Sequence, residues 1–304
     1  MTLPAVPPVW TVAVPSGCEI GEHPVWDSRT DTVLWVDVLA GALHRSEPSP
    51  GGAGEWSDRV MRVGGVVGAA ALRNDGGLVA AVDSSLVMLD ARGRSDAEPV
   101  PVDMPAGARF NDGACDPAGR FLVGSTSPSG ESSRGLLWSL DPSGRVEVAL
   151  TGVTESNGLD WAPRGDLLYY VDSGEPAVRR YAYDAATGRI GARLTDLTVV
   201  SPGEGVPDGI VVDAEGGIWV ALWEGRSLRR YAPDGDLLLD LAVPVERPTC
   251  AAFAGRDLRL LVLTTAWEGL DVQARRTQPW AGHVLVARAP VAGRLPHRFA
   301  GTGR

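Results

Sequence analysis

The sequence predicts an all-β fold, a six-bladed β-propeller with four-stranded antiparallel blades. Three observations carry that prediction. Turn-forming residues are abundant, with 38 glycines and 23 prolines spread along 304 residues. A motif of short apolar run, Asp/Gly/Pro turn and second apolar run recurs six times. No helical periodicity extends beyond a turn or two. Repeats with a period of roughly 40–50 residues are the signature of four-stranded blades arranged radially.

The six copies follow in order. The first is PVWDSRTDTVLWVD at Pro24–Asp37 and the second AALRNDGGLVAAVD at Ala70–Asp83. GACDPAGRFLVGS at Gly113–Ser125 and GLDWAPRGDLLYYVD at Gly158–Asp172 come next. GIVVDAEGGIWVA at Gly209–Ala221 and AAFAGRDLRLLVLT at Ala251–Thr264 complete the set. The residues that open the turns are Asp27, Arg73, Asp116, Ala162, Asp213 and Ala254, spaced 41 to 51 residues apart. Their Asp, Gly and Pro content is what tight hairpins require. A third strand follows in most copies, as in GALHRSEP, GLLWSLDP, AVRRYAYD and SLRRYAPD. Isolated hairpins are marginal in water, whereas six sheets stacked around an axis bury their apolar faces. Residues 1–304 are therefore expected to form a single propeller domain, and Trp10–Val14 is expected to pair with the last blade and close the ring.

Composition excludes several functions. The net charge is −10, which disfavours phosphate backbones and anionic lipid, so neither nucleic acid nor membrane is an expected partner. All 28 basic residues are Arg, so no P-loop or Schiff-base lysine exists. GxSxG and GxGxxG are absent. Cys18, Cys115 and Cys250 lie far apart without a CxxC, which argues against structural zinc and suits a reducing cytoplasm. The first ten residues lack a basic n-region, and no apolar run approaches the roughly 20 residues of a spanning helix.

The repeat also locates a site. In a propeller the first strand of each blade lines the central channel, so equivalent positions face one another. Five residues before each turn marker stand Glu22, Gly68, Asn111, Asn157, Asp208 and Thr249. Asn157-Gly158 and Asp208-Gly209 each read most simply as turn dipeptides. The recurrence of carboxylates and carboxamides in one register across blades favours a site instead. Two carboxylates in one channel repel, and a divalent cation removes the conflict. Oxygen ligands suit Ca²⁺, the first choice, or Mg²⁺ or Mn²⁺; Zn²⁺ is an alternative that normally recruits His or Cys.

The segments GEHPVWD, ARFNDGACDPAGRFLVGS, SNGLDW, PDGIVVDAEGGIWVA, TTAWEGL and QPWAGHVLV together resemble the SMP-30/gluconolactonase/LRE family from about residue 17 onward. The resemblance implies a six-bladed propeller that hydrolyses lactones, often sugar lactones. It implies metal ligands at Glu22, Asn157 and Asp208, and substrate contacts at Arg109 and Asn111 of the RFNDG motif. Asp208 would act as ligand and proton acceptor together, the expected partner is a small-molecule sugar lactone, and the protein is expected to be a monomer. His23 departs from the family pattern and reads as a solvated loop histidine. Members often carry an acidic substrate ligand on the loop after the RFNDG strand; Glu131 is the acid available there, out of simple register. Trp223-Glu224 either shapes substrate choice or packs the blade. Two alternatives compete. One is a non-catalytic calcium-binding or scaffold propeller. The other is a propeller esterase or phosphotriesterase, for which His23 would have to serve as base.

Overall fold

The computed structural model describes residues 9–49, 54–126 and 134–303. Its strands form six antiparallel sheets, five of which follow chain order from the axis outward. Blade 1 comprises Gly21–Asp27, Thr32–Asp37, Ala42–Glu47 and Ser57–Arg62. The inner strands of blades 2 to 6 are Val67–Leu72, Arg109–Cys115, Ser156–Trp161, Val206–Val212 and Pro248–Ala254. Each inner strand packs against the inner strands on either side, which closes the ring. In blade 6 the outermost strand is Thr11–Val14, paired with Val284–Arg288. The N-terminal segment thus closes the ring as its sequence predicts.

The aspartate turn markers act through their side chains. Asp116 Oδ1 accepts from the Ala118 and Arg120 amides at 3.0 and 2.7 Å, and Asp213 Oδ1 accepts from Glu215 and Gly217 at 2.9 and 2.8 Å. These bonds replace the ladder where the chain reverses. Gly216 takes a positive φ of 83° in that turn, a conformation that glycine adopts without steric cost.

The core is divided among the blade interfaces. Six apolar clusters exist among the described residues, and each joins two neighbouring blades. Trp219 of blade 5 meets Phe253 of blade 6, for example, with ring centroids 5.7 Å apart. Middle strands are covered on both faces, which explains continuous apolar runs such as LVAAV and IWVAL in place of alternation.

One element has no counterpart in the repeat pattern. Residues 290–300 run beneath the ring and bond to all six blades. Gly293 N donates to Leu258 O of blade 6, and Arg294 reaches Val212 O of blade 5 and Trp161 O of blade 4 at 2.7, 3.1 and 2.7 Å. Ala300 N donates to Gly119 O of blade 3, and Phe299 N to Leu72 O of blade 2, at 2.9 and 2.8 Å. Arg298 binds Asp27 of blade 1 at 2.6 Å. The one described helix, Val272–Thr277, lies in the connection before the last blade-6 strand, and no described helix is long and apolar enough to cross a membrane.

Candidate functional site

Every inner strand breaks register at the same height. The irregularities fall between Glu22 and Val25, Val67 and Ala69, Phe110 and Gly113, Ser156 and Leu159, Pro207 and Ile210, and Pro248 and Ala251. A bulge bends the strand and re-aims side chains. The six axial positions all lie at it. Asn157-Gly158 and Asp208-Gly209 are accordingly bulged strand and not turns, which corrects the simplest reading of those dipeptides. Their glycines serve close approach between blades. A Cβ on Gly158 would stand 2.3 Å from Ile210 N, and one on Gly209 would stand 2.4 Å from Cys250 Cβ.

The bulges deliver Glu22, Asn111, Asn157 and Asp208 into one pocket with Arg109, Glu155, Ser173, Trp223, Glu224 and Glu268, around a cavity of about 280 Å³. Arg109 donates to Asn111 Oδ1 at 2.7 Å, and Asn111 Nδ2 donates to Asn157 Oδ1 at 2.8 Å. Asn157 Nδ2 donates to Ser173 Oγ at 2.7 Å, and Ser173 is held by Pro207 O at the same distance. This chain of bonds fixes the Asn157 amide with its oxygen toward the pocket residues and its nitrogen toward blade 5.

The two acids differ sharply from surface carboxylates. Among the described residues neither Glu22 nor Asp208 forms a salt bridge. Burial, and then the Asp112 charge, push the Glu22 carboxyl well above the ordinary carboxylate range. Burial pushes Asp208 up too, reinforced by the charges of Glu22, Asp112 and Glu155. A site that holds two mutually repelling carboxylates, Asp208 buried and Glu22 half-buried, beside a fixed amide oxygen fits a hard divalent cation. Glu22, Asn157 and Asp208 are the residues that would hold it.

A second group with metal-ligand chemistry lies off the axis. Cys18, Asp37 and His44 bring ligand atoms within 4.8 Å of one another in blade 1. There His44 Nδ1 bonds Asp58 at 2.8 Å while its ring stacks on Trp35 at 3.8 Å. Trp35 Nε1 donates to Ser46 Oγ, which donates to Asp58, so the group belongs to a blade-stiffening network.

The structure corrects the reading of His23. It is only 7% exposed and bonds Asp112 Oδ1 at 2.7 Å. Both face a separate cavity of about 100 Å³ on the other side of the axial ring, lined largely by apolar side chains and by Arg294–His297. His23 has left-handed φ of 52° and follows Glu22, so the bulge turns consecutive side chains to opposite ends of the channel. Glu131 lies outside the described residues. Trp223 and Glu224 do line the pocket, and Arg247 ties them together, stacking on Trp223 at 5.0 Å and bonding Glu224 at 2.8 Å.

Glu155 and Glu268 were missed by the reading of the sequence. A signal for Glu155 existed. Two residues before each axial position stand Ile20, Val66, Arg109, Glu155, Val206 and Arg247, and four of these six line the pocket directly. Alternate residues of a strand share a face, so this second ring forms the mouth above the first.

Residues 20–267 match the SMP-30/Gluconolactonase/LRE-like region. The chain is 34% identical over 285 residues to the 6-deoxy-6-sulfogluconolactonase of Pseudomonas putida, covering 93% of this chain and 95% of that one. It is 39% identical over 259 residues to the pentonolactonase XacC of Haloferax volcanii, covering 84% of each. Among solved structures it is similar to the calcium-binding protein regucalcin of Agrobacterium tumefaciens, with a TM-score of 0.88 and 29% identity over 96% of this chain and 98% of that one.

Proposed function

Because the chain belongs to the SMP-30/gluconolactonase/LRE-like family, we propose that it is a divalent-metal-dependent hydrolase that opens the ester ring of sugar lactones. The observation that carries this reading is the axial ring itself: a half-buried and a buried carboxylate, neither in a salt bridge among the described residues, and a fixed amide oxygen beside an arginine, in an open polar pocket. Relatives named as lactonases for six-carbon and five-carbon acids share most of the chain's length and support the same chemistry.

A divalent cation held by Glu22, Asn157 and Asp208, Ca²⁺ in the first instance, would supply Lewis acidity toward the lactone carbonyl and lower the pKa of water there. Asp208 is the base that takes the proton from the attacking water and returns it to the ring oxygen as the C–O bond breaks. Asp208 lines the pocket beside Arg109 and Asn111, so its carboxylate borders the space a lactone would occupy. Arg109 donates hydrogen bonds to substrate oxygens, and Asn111, whose two amide hydrogens go to Ser156 O and Asn157 Oδ1, offers its Oδ1 as an acceptor for a ring hydroxyl. Arg109 is free for this role, since it forms no salt bridge among the described residues. The phosphotriesterase alternative loses its base, because His23 faces the far chamber.

The test is turnover of five- and six-carbon aldonolactones by a pH-indicator assay, run beside metal analysis of the same sample. Turnover that falls on chelation and returns with Ca²⁺ or Mn²⁺ is the expected result. Full turnover in protein shown to be metal-free would overturn the mechanism.

A further inference from the structure

The mouth ring places Glu155 on blade 4 where Arg109 stands on blade 3, each two residues before its axial asparagine. Resting on the lactonase reading above, we propose that Glu155 is a substrate-binding residue. In this role it accepts hydrogen bonds from the lactone's hydroxyls and selects neutral polyhydroxylated lactones over anionic ones.

Position is the first argument. Glu155 lines the pocket together with Arg109 and Asp208, and it bridges Thr126, the last described residue before the loop that carries Glu131. It therefore brings a carboxylate to the mouth from the inner strand of blade 4. The residue is anchored from behind. Its amide donates to Asp172 Oδ1 at 2.8 Å and its carbonyl accepts from Ser173 at 2.9 Å. Asp172 is in turn bound by Arg179 at 3.0 Å, so the main chain under Glu155 is rigid. Its own carboxylate takes part in no salt bridge among the described residues.

Charge is the second argument. Glu155 and Glu268 both line the pocket, whereas the Arg247 guanidinium is already bound to Glu224. Arg109 is the cation that remains to face substrate. A carboxylate and a guanidinium on adjacent strands recognise a polyol well, since hydroxyls donate to one and accept from the other. The two carboxylates, Glu155 and Glu268, outnumber that guanidinium and disfavour a substrate that carries a sulfonate, phosphate or carboxylate on its tail.

The experiment compares wild type, Glu155→Gln and Glu131→Gln on three probes: an unsubstituted δ-lactone, glucono-δ-lactone and a gluconolactone bearing a C6 sulfonate. Glu155→Gln keeps the side chain's shape and removes its charge. Its kcat/KM on gluconolactone should fall roughly tenfold, mainly through KM, as expected for a lost charged hydrogen bond. Its kcat/KM on the unsubstituted lactone should hold, and that on the sulfonate should rise. Such opposite movements are not produced by a structural defect. Equal losses on all three probes, no change on any, or the gluconolactone loss appearing in Glu131→Gln alone would each overturn the proposal. Wild type inactive on every lactone in the presence of metal would sink the lactonase reading itself and this inference with it.

Discussion

The two ends of the channel are built from consecutive residues yet have opposite characters. Above the bulge lie Glu22, Asn157 and Asp208 in an open, polar pocket ringed by charge. Below it lie His23, Asp112 and Cys250 in a small chamber with largely apolar walls, crossed by the C-terminal strap. A regular strand would alternate its side chains between the two blade faces and send few of them toward the axis. The bulge instead directs one residue up and its neighbour down. The upper end keeps acids unpaired and held for a ligand. The lower end pairs its acid with His23 and covers it. The comparison teaches that the propeller separates binding from closure within a single turn of backbone, so substitutions one residue apart should have unlike consequences.

The largest effect belongs to the upper end. Asp208→Ala removes the proposed ligand and base together, and turnover should fall by about 10²–10⁴-fold, the usual share of a general base, with bound metal lost as well. Asp208→Asn keeps an oxygen and should retain part of the metal while losing most turnover. Asn111→Ala should keep the metal. Metal content per chain and lactone kinetics check all three, and full activity in Asp208→Ala would erase the distinction between the two ends.

Next comes the pH dependence of metal stabilisation. The folded carboxyls of Glu22 and Asp208 are raised above their unfolded values. Their protonated forms therefore favour the fold, and that contribution is complete below the unfolded carboxylate pKa. It is lost as pH rises through the raised folded values. The metal-free protein should lose stability on that climb. A cation that binds only the ionised pair should restore it, by about 2.7 kcal/mol at a concentration one hundred times its Kd. Thermal melts with EDTA or Ca²⁺ from pH 4 to 9 should show a metal-induced rise in Tm that grows with pH. A rise that shrinks with pH would mean that the cation binds elsewhere.

Much of this arrangement is legible in the sequence, and the reasons are physical. The six blades announce themselves because each needs a tight turn, Asx-type at Asp27, Asp116 and Asp213, between strands buried on both faces. The axial ring is legible because the turn marker fixes the distance back to the bulge. The mouth ring, two residues further back, uses the same arithmetic, yet Glu155 has no neighbouring motif to draw attention to it. His23 is misread because a residue beside an axial carboxylate looks like loop when the bulge is unknown. The strap is illegible, since its Arg294 and Phe299 act through contacts with blades far away in sequence.

The strap gives the third effect. Arg294 bonds Asp160, Val212 O and Trp161 O, joining blades 4 and 5 at the chamber floor. Arg294→Ala should cost about 1–3 kcal/mol by leaving those acceptors unpaired. Turnover at a temperature well below the melt should be unchanged, because the pocket above is untouched. A large fall in kcat with no fall in Tm would show that the two ends are coupled.

The smallest effect on turnover should come from His23, although it stands next to Glu22, a proposed metal ligand. In His23→Ala, Asp112 Oδ1 keeps the Gly113 amide at 2.7 Å but loses its imidazole partner. The expected cost is about 1–3 kcal/mol of stability, the penalty for an under-satisfied buried acid. Asp112→Asn in the same background removes the charge and should recover part of that loss, so the two substitutions should couple in a double-mutant cycle. The kcat on gluconolactone should stay within a few-fold of wild type in each variant, and bound metal should be retained. This outcome separates the structure from any mechanism in which an imidazole serves as the base, since removing such a base would cost two orders of magnitude or more. It also tests the bulge itself. If His23 and Glu22 did face the same pocket, losing the ring would disturb the acid beside it, and metal content and turnover would fall together.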